Sequence, residues 1–213
     1  MEPIVRKSRS QRIYLSIAAC VLCAAFFVPD EELTRRIFGA LPVPVAVVAA
    51  AVAGSWALDR LPAADNRVPW RMILVLGALF LLPIATIDLA VRLPEDLNMP
   101  PLGALAFYPV AGFVAESVFH LLPLGALALF FRWRKLPAWA YIPAVLSEPV
   151  FQAVGSGGWT LQGVLVAVHV AAFSAAQLWV FRAHGFAAMY ALRLSYYVFW
   201  HLLWGILRLE LLF

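Results

Sequence analysis

The sequence predicts an all-α, polytopic transmembrane helix bundle of about seven helices with a cytoplasmic N-terminus. Three observations carry that expectation. Hydrophobic residues make up 64% of the 213 residues and charged residues 13%, with a mean hydropathy of +0.86, a balance that a water-exposed surface does not accommodate. Apolar stretches long enough to cross a ~30 Å hydrocarbon layer recur along the whole chain, separated by short clusters of charge, Pro and Gly. The basic residues segregate by loop. The chain reads as one integral membrane domain over 1–213.

The first span, 13–28, follows a basic leader, as the core of a signal peptide would. Val28, Pro29, Asp30 and Glu31 offer no small-x-small cleavage site, so this helix reads as a permanent anchor. Cys20 and Cys23 inside it, three residues apart, read as packing residues and not as a redox or metal pair. In the second span, 38–58, Ala46, Ala50 and Gly54 form a small-residue ridge that lets a neighbour approach closely. The third, 70–91, ends near Asp88 and Arg92, whose spacing of four suggests a local ion pair. The fourth, 102–131, is too long for one perpendicular span. It is expected to tilt, to kink near Pro109 or Pro123, or to begin as an interfacial segment around Pro100 and Pro101. The fifth, sixth and seventh run over 138–154, 161–181 and 186–207, and a tight turn of Arg182, Ala183, His184 and Gly185 separates the last two.

Orientation follows from retention of Lys and Arg on the cytoplasmic side of short loops. A cytoplasmic N-terminus puts Arg6, Lys7, Arg9, Arg12, Arg60, Arg67, Arg71, Arg132, Arg134, Lys135 and Arg182 on the inside. The other side receives Arg35, Arg36, Arg92 and Arg208, offset by Asp30, Glu31, Glu32, Glu95, Asp96 and Glu210. The net charge of +4 is therefore mostly topology, and no nucleic-acid partner is needed to explain it. Membrane lipids are the expected surroundings.

Chemistry concentrates in the C-terminal half. Glu116 stands inside an almost unbroken apolar run, where an ionised group costs roughly 2.5–3.5 kcal/mol on insertion scales and so calls for a partner or a role. His120 lies four residues on, hence on the same helical face. Glu148 and Gln152 repeat that spacing on the fifth span, His169 lies midway along the sixth, and His201 lies in the seventh near Tyr196, Tyr197, Trp200 and Trp204. Charges in lipid are unfavourable, so these groups are expected to face one another around an interior cavity. Each also has a plainer reading as an interhelical hydrogen-bonding group. His184 reads as a surface residue, and Arg193 as an arginine that snorkels to the cytoplasmic interface.

Two segments carry a family resemblance. Ala115-Glu116-Ser117-Val118-Phe119-His120 resembles the Glu-Glu-x-x-Phe-Arg motif of the CAAX protease and bacteriocin-processing (abortive-infection) family of intramembrane proteases. The aromatic-rich stretch from Met189 through Trp200 to His201-Leu202-Leu203-Trp204-Gly205 resembles that family's last motif, which carries His-x-x-x-Asn, and Leu146 to Phe151 followed by Gly155 has the contour of its middle motif, Phe-x-x-x-His. The similarity covers 113–205. Ala115 stands in place of the first Glu, His120 of the Arg, Gly155 of the middle His and Gly205 of the Asn, so of the motifs' polar residues Glu116 and His201 alone match.

The resemblance implies an intramembrane endopeptidase of a bacterial inner (plasma) membrane, acting on a membrane-anchored peptide. In that reading Glu116 activates a water, His201 is the oxyanion or acid partner, and His120 and His169 stand in for the lost arginine and histidine. Glu148, Gln152, Trp200 and Trp204 line the substrate region. A carboxylate and three imidazoles are also a donor set for Zn²⁺, although no His-Glu-x-x-His signature accompanies them; no cofactor is otherwise implied. Two alternatives stand beside the peptidase. One is a catalytically inactive relative that binds a lipid, peptide or partner helix in a polar intramembrane cavity. The other is a small proton-coupled transporter, for which an internal repeat is expected and none is visible.

Overall fold

The computed structural model describes residues 2–62, 67–131, 136–155 and 160–213. Helix accounts for 85% of it, and no strand occurs among the described residues. The helices are α1 (Glu2–Ala25), α2 (Glu32–Phe38), α3 (Val43–Leu58), α4 (Trp70–Val91), α5 (Pro101–Ala115), α6 (Leu122–Phe131), α7 (Ile142–Gly155), α8 (Leu161–His184), α9 (Phe186–Tyr197) and α10 (Gly205–Leu212). Three of these join others end to end, giving seven rods. α2 and α3 form one run, α5 continues into α6 through a π-helical turn (Glu116–Leu121), and α9 continues into α10 through another (Val198–Trp204).

Four segments, Glu32–Leu58, Trp70–Val91, Pro101–Phe131 and Leu161–His184, are long and apolar enough to cross a membrane. The protein is an integral membrane protein of the all-α class. Its exterior agrees: Val52, Leu82, Leu102, Phe130 and Val154 are exposed apolar side chains, a surface suited to acyl chains and not to water.

Contacts fix the directions of the rods. Gln11 bonds Ser55 and Tyr14 bonds the Ala50 carbonyl, so α1 and α3 run antiparallel. α4 runs parallel to α9 and α10, because Gly77 packs on Ser195 while Asp88 reaches Trp204 and Arg208. Gly112 packs on Arg193 and Asn98 bonds His201, which makes α5 antiparallel to α9. This alternation brings Arg9, Arg12, Arg60, Arg67, Arg71 and Arg182 to one end of the bundle, as the charge pattern requires. Arg132, Arg134 and Lys135 lie outside the described residues, as do the side chains of Arg6 and Lys7.

The small-residue ridge of α3 is buried throughout, and the Tyr14 hydroxyl lies against Gly54 so closely that any Cβ there would strike it. That hydroxyl also pairs with Ser117 Oγ at 2.9 Å, tying α1 and α3 to the start of the first π turn. Pro123 has a direct part in this turn. Lacking an N–H, it leaves the Phe119 carbonyl without its helical donor, and the Ser147 hydroxyl of α7 donates to that carbonyl at 2.6 Å. The break in the long fourth span is thus the π turn between Pro109 and Pro123, consistent with the known causes of helix irregularity.

Two expectations fail. Cys20 and Cys23 are exposed on the outside of α1, because the buried face of that helix is the one bearing Tyr14, Ala18, Val21 and Ala25. Arg92 does not pair with Asp88. It ends α4 in a left-handed conformation (φ 47°) with its backbone N–H on the Asp88 carbonyl, leaving the Asp88 carboxylate for α10.

Candidate functional site

The site is a cluster of charge at the middle of the bundle. Glu116 and His120 project from the first π turn, where the spacing of four places Nδ1 of the imidazole 2.7 Å from Glu116 Oε2. Both side chains are fully buried, at 0% exposure. On the other carboxylate oxygen, Glu116 Oε1 accepts from Arg193 Nε at 2.6 Å and from the Gln177 amide. Glu148 of α7 lies across the same guanidinium, receiving Nη1 at 2.8 Å and Nη2 at 2.6 Å in a bidentate fork. Arg193 completes its donors with Tyr197 Oη at 3.1 Å and Gln177 Oε1 at 3.1 Å. Four helical rods therefore meet on one arginine that is itself 2% exposed.

Local sequence explains how a guanidinium reaches this depth. Gly112 of α5 has no side chain where the Arg193 stem and the Tyr197 ring cross: a Cβ there would stand 3.1 Å from Arg193 Cδ and 3.3 Å from Tyr197 Cε2. Phe173 and Tyr197 flank the guanidinium with ring centres 5.9 and 5.8 Å away, adding modest cation–π attraction. Two carboxylates against one guanidinium give the cluster a formal charge of −1 before the imidazole is counted.

Of the residues singled out from the sequence, Glu116, His120, Glu148 and Gln152 come together. Gln152 lies at the edge, with Nε2 3.4 Å from Glu148 Oε1. The remaining four do not join them. His169 bonds the Tyr196 hydroxyl at 3.0 Å; it precedes Gln177 by eight residues, which is about 12 Å along a helix. His201 follows Arg193 by the same interval. Its Nδ1 meets Asn98 Oδ1 at 2.6 Å, and its ring stacks on Tyr108 with centroids 4.4 Å apart. Trp200 packs in the apolar core with Ile73, Phe173 and Leu192. Trp204 donates to Asp88 Oδ2 at 2.8 Å.

Glu116 and His201 thus make no hydrogen bond to each other, and the chain of contacts between them passes through Arg193 and Tyr197. The stand-in role given to His169 and the oxyanion or acid role given to His201 beside Glu116 are corrected accordingly. Among the described residues no group of three His, Cys, Asp or Glu side chains is placed to hold a metal ion. The proposed zinc donors are dispersed, and the Glu116 carboxylate is committed to Arg193, Gln177 and His120.

Sequence reasoning missed Arg193, Gln177 and Asn98. Arg193 had a signal: it is the one Lys or Arg deep within any of the seven expected spans, and two carboxylates at similar depth require a countercharge. It does not snorkel. Gln177 and Asn98 carry no comparable signal.

A second buried pair lies near the opposite end from the basic cluster. Arg208 grips Asp88 through Nε at 2.6 Å and Nη2 at 3.0 Å, and donates to the carbonyls of Leu93 at 2.6 Å and Pro94 at 3.0 Å. The Leu93 N–H closes on Asp88 Oδ1 at 2.9 Å. Every strong donor here is met within the protein, so this knot fastens α10 and the 93–97 segment to α4.

The fold and site define a class: an integral membrane helix bundle built around a buried arginine–dicarboxylate–imidazole cluster. Comparison with protein-family models, with curated proteins and with solved structures gives no match.

Proposed function

We propose that the protein is an intramembrane hydrolase of the CAAX-protease type, seated with a cytoplasmic N-terminus in a bacterial inner membrane and acting on a membrane-anchored peptide. One observation carries the reading. Glu116 and His120 converge with Glu148, Gln177 and Arg193 at a single fully buried point, and ionisable residues gathered inside a membrane mark function by default. The π turn that presents Glu116 and His120 supports it further, since such turns concentrate at functional sites. The motif around Glu116 supplies the family likeness.

A second reading is favoured by a specific feature of the same cluster. Arg193 engages both carboxylates at 2.6 Å, which is the pairing expected where charge serves architecture and not turnover. In that reading the protein is a catalytically inactive relative that binds lipid, peptide or a partner helix.

Reconstituted protein and a lipid-anchored peptide in proteoliposomes, with products read by mass spectrometry, separate the two. The hydrolase reading requires cleavage by the native protein and its loss in Glu116→Gln, with expression and helical fold retained at the assay temperature. Absence of cleavage by the native protein leaves the non-catalytic reading, and cleavage equal in the variant removes Glu116 from the reaction.

A further inference from the structure

We infer that the reactive atom of this site is Nε2 of His120, with Glu116 acting as the residue that positions it; the inference rests on the hydrolase reading and assigns roles within it. The imidazole is fully buried, and Nε2 is one of three buried side-chain atoms among the described residues that have no hydrogen-bond partner. An unpaired polar atom at that depth is costly, roughly 1–3 kcal/mol, and calls for an explanation, of which a catalytic role is one. Every other polar atom of the imidazole–Glu116–Arg193–Glu148 chain is engaged.

Given an ionised Glu116, the hydrogen-bond pattern assigns a role to that atom. Glu116 Oε1 accepts from Arg193 Nε and from the Gln177 amide, as an ionised carboxylate does. Its Oε2 then accepts as well, so His120 Nδ1 carries the proton and donates at 2.7 Å. A neutral imidazole holds one N–H, so Nε2 is left with a bare lone pair, buried with the ring. Glu116 itself is a poor base in this setting, because three donors already occupy its oxygens.

For a membrane-embedded amide the step balances as follows. A water oxygen bonds to the carbonyl carbon while one water proton moves to Nε2, giving a tetrahedral oxyanion and an imidazolium. That proton cancels the cluster's residual charge of −1. Return of the proton to the leaving nitrogen accompanies cleavage of the C–N bond, which yields a carboxylic acid and an amine and restores neutral His120. Base catalysis of this kind contributes about 10²–10⁴ in rate.

Two measurements on the full chain in lipid test the assignment. In ¹⁵N-histidine spectra of the native protein, with the His120 signal identified by its loss in His120→Gln, the expected form has Nδ1 protonated and Nε2 bare. Glu116→Gln is expected to weaken that tautomer preference, a change that a purely structural Glu116 would not produce. A protonated Nε2 in the neutral native protein overturns the inference whether or not any substrate is turned over. In the proteoliposome assay His120→Gln is expected to lower cleavage at least 100-fold. Cleavage retained in His120→Gln overturns the inference and leaves the hydrolase reading standing, whereas a native protein that cleaves nothing removes the hydrolase reading and the inference with it.

Discussion

Replacing Arg193 with Met keeps the length and volume of the stem and removes the charge, which makes it the most informative single perturbation of the bundle. Arg193 makes five hydrogen bonds, three of them to the carboxylates of Glu116 and Glu148 at 2.6–2.8 Å. Deleting it changes the ionised cluster from −1 to −2 with no cation left to compensate. Breaking a buried pair by removing one partner costs about 3–5 kcal/mol, and for a chain of this length each kcal/mol displaces the midpoint by about 2–4 °C. Arg193→Met is therefore expected to lower the melting temperature in lipid or mild detergent by roughly 6–20 °C, read from tryptophan fluorescence. The triple variant Arg193→Met, Glu116→Gln, Glu148→Gln removes the uncompensated charges together and is expected to regain most of the loss, since neutral replacement of a whole ion cluster is often close to neutral. A single variant that melts within about 2 °C of the native protein, a loss of under ~1 kcal/mol, or a triple variant no better than the single one, refutes the reasoning.

Three further outcomes are expected. Asp88→Asn strips Arg208 of its bidentate partner and should destabilise by a similar ~3–5 kcal/mol, with the 93–97 segment becoming open to limited proteolysis before the rest of the chain. Tyr14→Phe removes the hydroxyl shared with Ala50 and Ser117; interhelical bonds in membranes average about 0.6 and reach about 1.7 kcal/mol, so a melting loss of only a few degrees is expected, far smaller than for Arg193→Met. Gly125→Ala drives a Cβ to 2.6 Å from Ala57 Cβ and 2.7 Å from Ala57 Cα, and overpacking against backbone should cost about 1–3 kcal/mol, measured by the same unfolding assay.

The bundle was legible because apolar length is read directly from composition, and the charge asymmetry of the loops matches the alternation of the rods. Half of the site was legible too. Glu116 with His120 and Glu148 with Gln152 follow from a spacing of four on helices whose interior faces must carry any charge. What the sequence hides is phase and partner choice across helices. His169 and His201 lie on inward faces yet sit about two turns from the cluster, and only the packed structure shows that this distance directs them to Tyr196 and Asn98. Arg193 lies 77 residues from Glu116 and 45 from Glu148; its entry depends on the bare backbone at Gly112, which no local pattern reveals. Asp88 had a plausible local partner in Arg92, but Arg92 ends the helix in a left-handed turn, and Arg208, 120 residues from Asp88, supplies two donors to the carboxylate.

The central claim is that a single buried guanidinium joins the carboxylates of α5–α6 and α7. Solid-state NMR on protein in lipid bilayers, with ¹⁵N in the arginine side chains and ¹³C in the glutamate carboxylates, measures that junction directly. Strong dipolar coupling of Arg193 to both Glu116 and Glu148, abolished for each in its Gln variant, is the expected result. Coupling to neither carboxylate, with Arg193 exchanging its protons freely with water, would contradict it.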